Sequence, residues 1–586
     1  MEKKINLTYI VLSLLIYAAH YLLTLSFAYN NLVDGTDTYF YFMLSKDFAN
    51  GRFSFPFMCL PGYPLFLAVF AKAFHNFAFF IFIQHLLFWS AGVLLFKSVS
   101  ILRSPKAGIL AGIIYLFYTP FLAHASALVP EGLGVFLFSL ALYSWSRLWS
   151  ERITEPLPRL EAAILGVVSG FLCVVRPVFL PWAFAVGAYF AIKAKVKPRI
   201  GFVLIYFIGL LSVLFVVAYP NYKKTGRLML SAHTGVNFYI GNNEKATGLF
   251  TGLNIFRGSQ EGLLRDSVLI ARQRLHRPVS EAEADEYWYG QALLFIANHP
   301  IKFLKLLLFK LWFLLSSKEF YEAQGLLFWP SIPFGFIIPF AFLGLWTSRK
   351  EDAIGVLRLA FVLVMLVNLL GFINVRYKLM FAFPAIGLFA IGVSDLWLAF
   401  AKNKRSAYIM GLFSIPIFIL SLFIVPPARL SQQCVGQYNK AISWLDANEP
   451  EMARDLLLKM LQKDSGNWAY WHALGQSYYM LKDYEKAIAA YNKALALNPV
   501  FLDAAYNLAI CYNKSGRYGI SLKTIGKILE FDPDNVDALF IMVEDLVKLN
   551  KCDEARDLAG RLLNLLKGQG PKNQVKEVLN GCSADG

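Results

Sequence analysis

Two carboxylates stand close together in the segment 29–75, which separates two apolar runs. Residues 34–41 of this segment read DGTDTYFY, so that Asp34 and Asp37 precede a cluster of aromatic side chains. A carboxylate that neighbouring aromatic rings shield from water can take a proton from an attacking hydroxyl group. Asp37 and Asp34 are therefore candidate general bases. The competing interpretation is a solvated loop with no catalytic function.

Four more charged residues lie at the ends of apolar runs: Glu131, Arg176, Arg376 and Lys378. Arg176 is surrounded by apolar sequence, and an arginine at membrane depth suggests a functional site. Arg376 and Lys378 could instead extend to the membrane surface as ordinary interfacial residues. Glu131 could orient an arginine, bind a metal ion or simply favour the start of a helix.

The elements that carry these residues are expected to cross a membrane. The chain is 57% hydrophobic and 16% charged, which is too apolar for an ordinary soluble enzyme. Its apolar runs approach the roughly 20 residues that a helix needs to cross a bilayer. We predict eleven spans, at 6–27, 79–101, 108–122, 131–149, 160–175, 179–192, 200–219, 326–346, 356–372, 379–400 and 408–425.

Lysine and arginine are concentrated in one alternate set of loops, which is therefore predicted to be cytoplasmic. This places the N-terminus inside, and the loops 29–75 and 220–300 outside together with the C-terminal region. We expect a bacterial inner-membrane protein whose C-terminal domain is periplasmic. Three lysines interrupt residues 301–315, which favours an interfacial helix over a twelfth span. The basic residues behind the net charge of +17 thus lie mainly in loops, where they set the membrane topology, and no nucleic-acid partner is expected.

The region from residue 431 onward repeats with a period of 34 residues, which is typical of tetratricopeptide (TPR) repeats. Pro499 and Pro533 are 34 residues apart and end corresponding helices. The helix–turn–helix positions of the clearest repeat are filled by Leu474, Gly475, Tyr478, Tyr484, Ala487, Tyr491 and Ala494. About four repeats are predicted, which is enough for a stable stack. The six cysteines, in contrast, form no recognisable disulfide or zinc pattern.

The order of motifs over residues 1–425 resembles that of the GT-C glycosyltransferases, and more narrowly the family 39 branch related to protein mannosyltransferases. The resemblance rests on an acid four residues before a tyrosine at 37–41, Asn-Gly at 50–51, Pro-Gly-Tyr-Pro at 61–64, Pro-Glu at 130–131, Arg-Pro at 176–177, Gly-Asn-Asn at 241–243, His-Pro at 299–300 and Arg-Tyr-Lys at 376–378. It departs from the family pattern at Thr38, where protein mannosyltransferases carry a second acid, and at Met380, which replaces a proline.

The resemblance implies an inverting glycosyltransferase of the EC 2.4 class with a polyprenyl-phosphate-linked sugar as donor. Asp37 would be the base, with Asp34 as the second candidate, and Glu131 would also be catalytic. A divalent cation, Mg²⁺ or Mn²⁺, could assist. The residues implied in binding the donor phosphate are Arg176, Arg376, Lys378, Tyr377, Asn237, Asn242 and Asn243.

The expected fold is all-α, with a polytopic GT-C-like domain over 1–425, a linker at 426–430 and an α-solenoid of TPR repeats over 431–586. The acceptor would be a protein or a glycan, and the repeats would recruit it or mediate oligomerisation. Two other interpretations stay open: a lipid or oligosaccharide transporter or flippase, and a membrane-tethered TPR scaffold without catalysis.

Overall fold

The computed structural model describes residues 2–30, 37–53, 57, 59–74, 76–150, 159–193, 199–248, 260–316, 332–402, 448–499, 501–531, 533–566 and 569–582, with scattered residues between 405 and 445. All the elements formed by these residues are helices, so the all-α expectation is confirmed. The chain divides into two compact units. The first comprises Met1–Thr251 and Glu281–Pro426, and the second comprises Gly252–Ser280 and Pro427–Gly586.

The first unit contains sixteen of the described helices. They are α1 (Glu2–Asn30), α2 (Asp37–Ala49), α3 (Gly62–Ala71), α4 (Phe77–Leu102), α5 (Pro105–Phe117), α6 (Thr119–Ala125), α7 (Glu131–Ser150), α8 (Arg159–Val175), α9 (Leu180–Lys193), α10 (Arg199–Thr225), α11 (Thr234–Gly241), α13 (Glu281–Asn298), α14 (Pro300–Leu315), α15 (Phe334–Thr347), α16 (Gly355–Leu370) and α17 (Val375–Lys402). Helix α12 (Gln260–Leu275) belongs to the second unit.

Fewer spans are found than the eleven predicted. Among the described residues, four helices are long and apolar enough to cross a membrane, or up to six if each of two bent helix pairs is one span. Four of the predicted spans correspond to α8, α9, α15 and α16, which have only 14 to 17 residues each. The predicted span 408–425 lies largely outside the described residues. Helix α14 is joined to α13 at a bend of 106°.

Helices α8 and α10 pack closely, and this contact fixes the helix that ends beside Arg176. At Gly166, an added Cβ would lie 2.2 Å from the backbone oxygen of Tyr206. Only glycine permits this approach without moving one helix. Trp145 of α7 is fully buried and contacts the rings of Phe190 and Tyr206. These contacts hold α7, α8, α9 and α10 together.

The second unit is a stack of helical hairpins. Its helices are α18 (Pro450–Lys463), α19 (Trp468–Met480), α20 (Tyr484–Leu497), α21 (Leu502–Lys514), α22 (Tyr518–Phe531), α23 (Val536–Lys548), α24 (Cys552–Leu565) and α25 (Gln569–Leu579). Small residues allow the helices of each pair to approach, as at Gly475, where an added Cβ would lie 2.6 Å from the ring of Tyr491. Leu269 of α12 packs against the cluster that contains Ile525 and Ile528.

A disulfide bond joins Cys552 at the start of α24 to Cys582 after α25, with 5.6 Å between their Cα atoms. It closes the C-terminal end of the repeat stack. Sequence reasoning did not predict this bond, because the spacing of the six cysteines matches no known framework.

Candidate active site

Glu131 is the centre of the candidate site. It is the first residue of α7, and its side chain is fully buried. A carboxylate in the first turn of a helix is favoured by the partial positive charge of that end. Burying an isolated carboxylate is nevertheless costly unless cations and hydrogen bonds compensate its charge. The surroundings of Glu131 should therefore supply positive charge.

Arg176 supplies one cation. Helix α8 ends at Val175, and Arg176 takes an extended conformation with φ −144° and ψ 96°. Pro177 explains this ending, because proline disfavours the helical conformation of the preceding residue. The guanidinium group of Arg176 then forms an ion pair with Oε1 of Glu131, and its side chain is only 10% exposed.

Arg376 supplies a second cation to the same oxygen. It is the second residue of α17, and its Nε donates to Oε1 of Glu131 at 2.6 Å. Two guanidinium groups thus converge on one carboxylate oxygen. Arg376 keeps 22% of its side chain exposed, so the cluster is not sealed from ligands. Guanidinium groups form charge-assisted hydrogen bonds with phosphate oxygens, so an anion of the phosphate class could bind beside Arg376.

Tyr63 connects this cluster with α2. Its phenol is fully buried, donates to Oε1 of Gln84 at 3.3 Å and lies close enough to Glu131 and both arginines to interact electrostatically. The ring of Tyr63 contacts the ring of Tyr41 edge-on, with 5.3 Å between the centroids. Tyr41 is one turn after the residue at which α2 begins, Asp37. The side chain of Asp37 and the whole of Asp34 lie outside the described residues.

Three residues of the site were not predicted from the sequence. Gly134 is one turn after Glu131, and an added Cβ there would lie 2.9 Å from Cγ of Arg176. Gln84 is almost fully buried and donates to the backbone oxygen of Val129 at 2.6 Å. His124 is also buried and lies within electrostatic reach of Glu131. For Gly134, the available signal in the sequence was its spacing of one helical turn from Glu131.

Lys378 points elsewhere. Its Nζ donates to the backbone oxygen of Ser316 at 2.7 Å and lies 4.7 Å from the centre of the Phe334 ring. Residues two apart on a helix face different sides, which explains why Arg376 reaches Glu131 and Lys378 does not share that carboxylate. The ring of Tyr377 packs against Phe372. These contacts fix the start of α17.

The Gly-Asn-Asn residues use their amide groups to hold the backbone. Asn242 is fully buried, and its Nδ2 donates to the backbone oxygens of Phe238 and Leu370 at 2.9 and 2.6 Å. Asn243 donates to the oxygen of Tyr239 at 2.8 Å and accepts from the nitrogen of Lys245, also at 2.8 Å. These bonds end α11 and shape the turn that follows.

Asn237 lies within α11, where its backbone nitrogen donates to the oxygen of His233 at 3.1 Å. Within the part of the chain that the structure describes, no group of three histidine, cysteine, aspartate or glutamate residues could hold a metal ion.

Comparison with known proteins first concerns the second unit. The tetratricopeptide repeat family model matches residues 468–499, which correspond to α19 and α20. These residues form a tetratricopeptide repeat. A TPR repeat-containing protein of Methanocaldococcus jannaschii is 34% identical over 89 residues, which cover 15% of this chain and 25% of that protein. The chain thus matches about a quarter of the length of this relative, and the match establishes the repeat.

Solved structures with some overall similarity include the Archaeoglobus fulgidus oligosaccharyltransferase. Its apo form aligns with a TM-score of 0.41 and 13% identity over 75% of this chain and 58% of that protein. Its complex with an inhibitory peptide and dolichol-phosphate aligns with a TM-score of 0.40 and 14% identity, over 76% and 58%. Yeast Tom70 gives a TM-score of 0.26 and 12% identity, over 84% and 95%. The chain spans just over half of the oligosaccharyltransferase, and scores of this size establish no shared activity.

Proposed function

We propose that this chain is a membrane glycosyltransferase that takes a sugar from a polyprenyl-phosphate donor and transfers it to an acceptor hydroxyl. The observation that carries the proposal is the cluster in which Arg176 and Arg376 share one oxygen of Glu131. When the glycosidic bond to the lipid phosphate breaks, negative charge develops on the phosphate. Cations that are already fixed in a largely buried site stabilise that charge without reorganising.

In the proposed mechanism, each member of the cluster has its own task. Glu131 holds both guanidinium groups in position, and these groups attract the phosphate. Asp37 takes the proton of the acceptor hydroxyl, whose oxygen then attacks the anomeric carbon as the bond to the phosphate oxygen breaks. The contact of Tyr41 with Tyr63 supports this assignment, because it relates the helix that starts at Asp37 to the residues around Glu131. Attack from the side opposite the phosphate inverts the anomeric configuration.

The repeats are proposed to lie outside the membrane and to recruit a protein acceptor. Two features of the second unit support the outer location. It contains the Cys552–Cys582 disulfide, and disulfides are typical of oxidising compartments outside the cytoplasm. It also includes α12, which the sequence places in the external segment 220–300. Stacked TPR repeats form concave surfaces that suit extended peptides.

The test of the catalytic proposal is turnover of a labelled donor. Purified full-length protein in nanodiscs would be supplied with polyprenyl-phosphate sugars labelled in the sugar, one sugar at a time. We expect the label to leave the lipid fraction with time for at least one sugar. This turnover should be abolished in Arg376→Gln and unchanged in Arg103→Gln. The control Arg103 pairs with Glu351 at 3.0 Å and with Asp395, and none of these three belongs to the cluster. Movement of intact donor across a vesicle membrane without cleavage would instead indicate a flippase.

A second test concerns the repeats. Deleting residues 431–586 should impair transfer to the native protein acceptor and spare hydrolysis of the donor. Protease added to the outer face of intact membranes should trim the same region in the full-length protein. Protection of this region from the protease would contradict the external location, and normal glycosylation by the truncated enzyme would contradict recruitment.

A further inference from the structure

Helix α14 exposes an apolar stripe along its length. Ile301, Leu304, Leu308 and Trp312 are 72%, 57%, 58% and 44% exposed. Their spacing of three and four residues puts them on one face of the helix. The opposite face, which includes Lys310, is buried. Because α14 meets α13 at 106°, it forms a separate element with one face on the protein and one face uncovered.

Two lysines border the start of this stripe. Lys302 and Lys305 are both exposed, and Nζ of Lys302 donates to the backbone oxygen of Glu244 at 2.6 Å. Among the described residues, neither lysine forms an ion pair with a carboxylate. A helix with an apolar face next to unpaired lysines is suited to the membrane interface, where its charges contact anionic head groups.

The same lysines line a cleft of about 240 Å³ between α14 and the turn after α11. One part of its wall is polar, with the two lysines and Asn243, and another part is apolar, with Phe295 and Phe309. Two ammonium groups can bind a phosphate group from separate directions. The phenyl rings offer a surface for the first carbons of a lipid chain.

The base of the cleft is well supported. Lys310 on the buried face of α14 donates to Oδ1 of Asn242 at 3.0 Å and to the backbone oxygen of Leu369 at 3.2 Å. Asn242 precedes Asn243, whose amide closes the adjoining turn. The turn and α14 are therefore held together by hydrogen bonds below the cleft, which keeps the exposed lysines near Asn243.

We propose that α14 and this cleft bind the head group of an anionic phospholipid at the membrane surface. The head-group phosphate contacts Lys302 and Lys305, and the acyl chains cover the stripe that ends at Trp312. The proposal does not depend on the glycosyltransferase reaction, because none of these residues belongs to the Glu131 cluster. The ligand is a lipid of the bilayer, and free phosphate lacks the chain that the apolar wall would contact.

The test uses the full-length protein in nanodiscs or detergent and phosphatidylglycerol as the probe. Native mass spectrometry would measure how much phosphatidylglycerol and phosphatidylcholine the protein retains from an equimolar mixture. We expect preference for phosphatidylglycerol and roughly thirty-fold weaker retention in Lys302→Gln/Lys305→Gln, since each lysine near an anionic surface contributes a five- to six-fold effect. The matched control is Lys223→Gln/Lys224→Gln, which removes the same charge from the exposed end of α10 and should retain the lipid like the wild type.

Equal retention of both lipids, equal loss in both double variants, or competition by millimolar inorganic phosphate would each overturn the proposal. Fluorescence gives a readout that does not need the lysine variants. Phosphatidylglycerol brominated on its acyl chains should quench a component of the tryptophan emission that is absent in Trp312→Phe. An identical quenching profile in Trp312→Phe would show that lipid chains do not cover the stripe.

Discussion

Arg176 and Arg376 are separated by two hundred residues, and both bind the same oxygen atom, Oε1 of Glu131. One arginine follows the last residue of α8, and the other is in the first turn of α17. Two guanidinium groups fixed beside one carboxylate are the basis for the proposed binding of a lipid phosphate, and the predictions that concern the first unit test this cluster.

The first prediction concerns the base. Asp37→Asn should fold normally and lower the rate of sugar transfer by roughly 10²- to 10⁴-fold, because an amide cannot take the acceptor proton. Rates with saturating labelled donor and acceptor would measure this loss. Asp34→Asn is the matched control and should be much less affected. Near-normal transfer by Asp37→Asn together with an inactive Asp34→Asn would reverse the assignment.

The second prediction concerns Gly134, which allows Arg176 to lie against α7. An alanine Cβ at this position would be 2.9 Å from Cγ of Arg176, so the arginine side chain must shift. We expect Gly134→Ala to reduce transfer roughly ten- to hundred-fold, since a displacement of about 1 Å in a catalytic group has effects of this size. Gly201→Ala is the control, because no atom lies within 4 Å of its added Cβ. Equal activity of the two variants would show that the position of Arg176 is unimportant.

The third prediction concerns the disulfide. Replacing both Cys552 and Cys582 by serine should lower the free energy of unfolding of the fragment 431–586 by about 3.7 kcal/mol, the entropy model's value for a closed loop of this size. Urea denaturation followed by circular dichroism would measure the change. Dithiothreitol should destabilise the wild-type fragment by a similar amount and leave the double variant unchanged. If dithiothreitol also destabilises the double variant, the loss of stability has a cause other than the disulfide bond.

The fourth prediction concerns Asp545, which is fully buried and accepts a hydrogen bond from Nδ2 of Asn513 at 2.8 Å. Burial raises the pKa of its carboxyl group above the ordinary value of 3.8. The folded state therefore binds this proton more tightly than the unfolded state. Proton binding by Asp545 therefore stabilises the folded state. This stabilisation is fully present below the pKa of the unfolded state and is lost as the pH rises through the pKa of the folded state.

Above its folded pKa the Asp545 carboxylate is ionised and buried, so at such pH values Asp545→Asn should stabilise the fragment 431–586 while keeping an acceptor for Asn513. The advantage should shrink as the pH falls through that pKa. Urea denaturation at several pH values would measure it, with Asp553→Asn as a control because the side chain of Asp553 is fully exposed. A destabilised Asp545→Asn above the folded pKa would show that the charge itself is required.

The sequence predicted helices and repeats better than it predicted spans. The period between Pro499 and Pro533 identified the TPR hairpins because each repeat is a local unit. The predicted number of spans exceeds the four to six found among the described residues, because hydropathy does not report where a helix bends or ends early. A bend of 56° separates α5 from α6 within the predicted span 108–122, and the helix that leads to Arg176 has only 17 residues.

The candidate site was predicted in part, for a similar physical reason. Glu131, Arg176 and Arg376 stood out as charges in apolar surroundings, and the structure brings them together. Lys378 stood out by the same criterion and contacts Ser316 instead, since it faces a different side of α17 from Arg376 and tertiary packing decides which residues lie on that side. The side-chain amides of Asn242 and Asn243 donate hydrogen bonds to backbone oxygens. Gly134 had one signal in the sequence, its spacing of one turn from Glu131, but its contact with Arg176 depends on tertiary packing.

The most direct measurement is the affinity of the purified full-length protein for polyprenyl phosphate, the leaving group common to all the sugar donors considered. It requires no knowledge of the sugar or the acceptor. We expect saturable binding that Arg376→Gln weakens roughly ten- to hundred-fold, as expected for the loss of one charge-assisted contact, and that Arg103→Gln leaves unchanged. Equal affinity of the wild type and Arg376→Gln for polyprenyl phosphate would contradict the assignment of this cluster as a phosphate site.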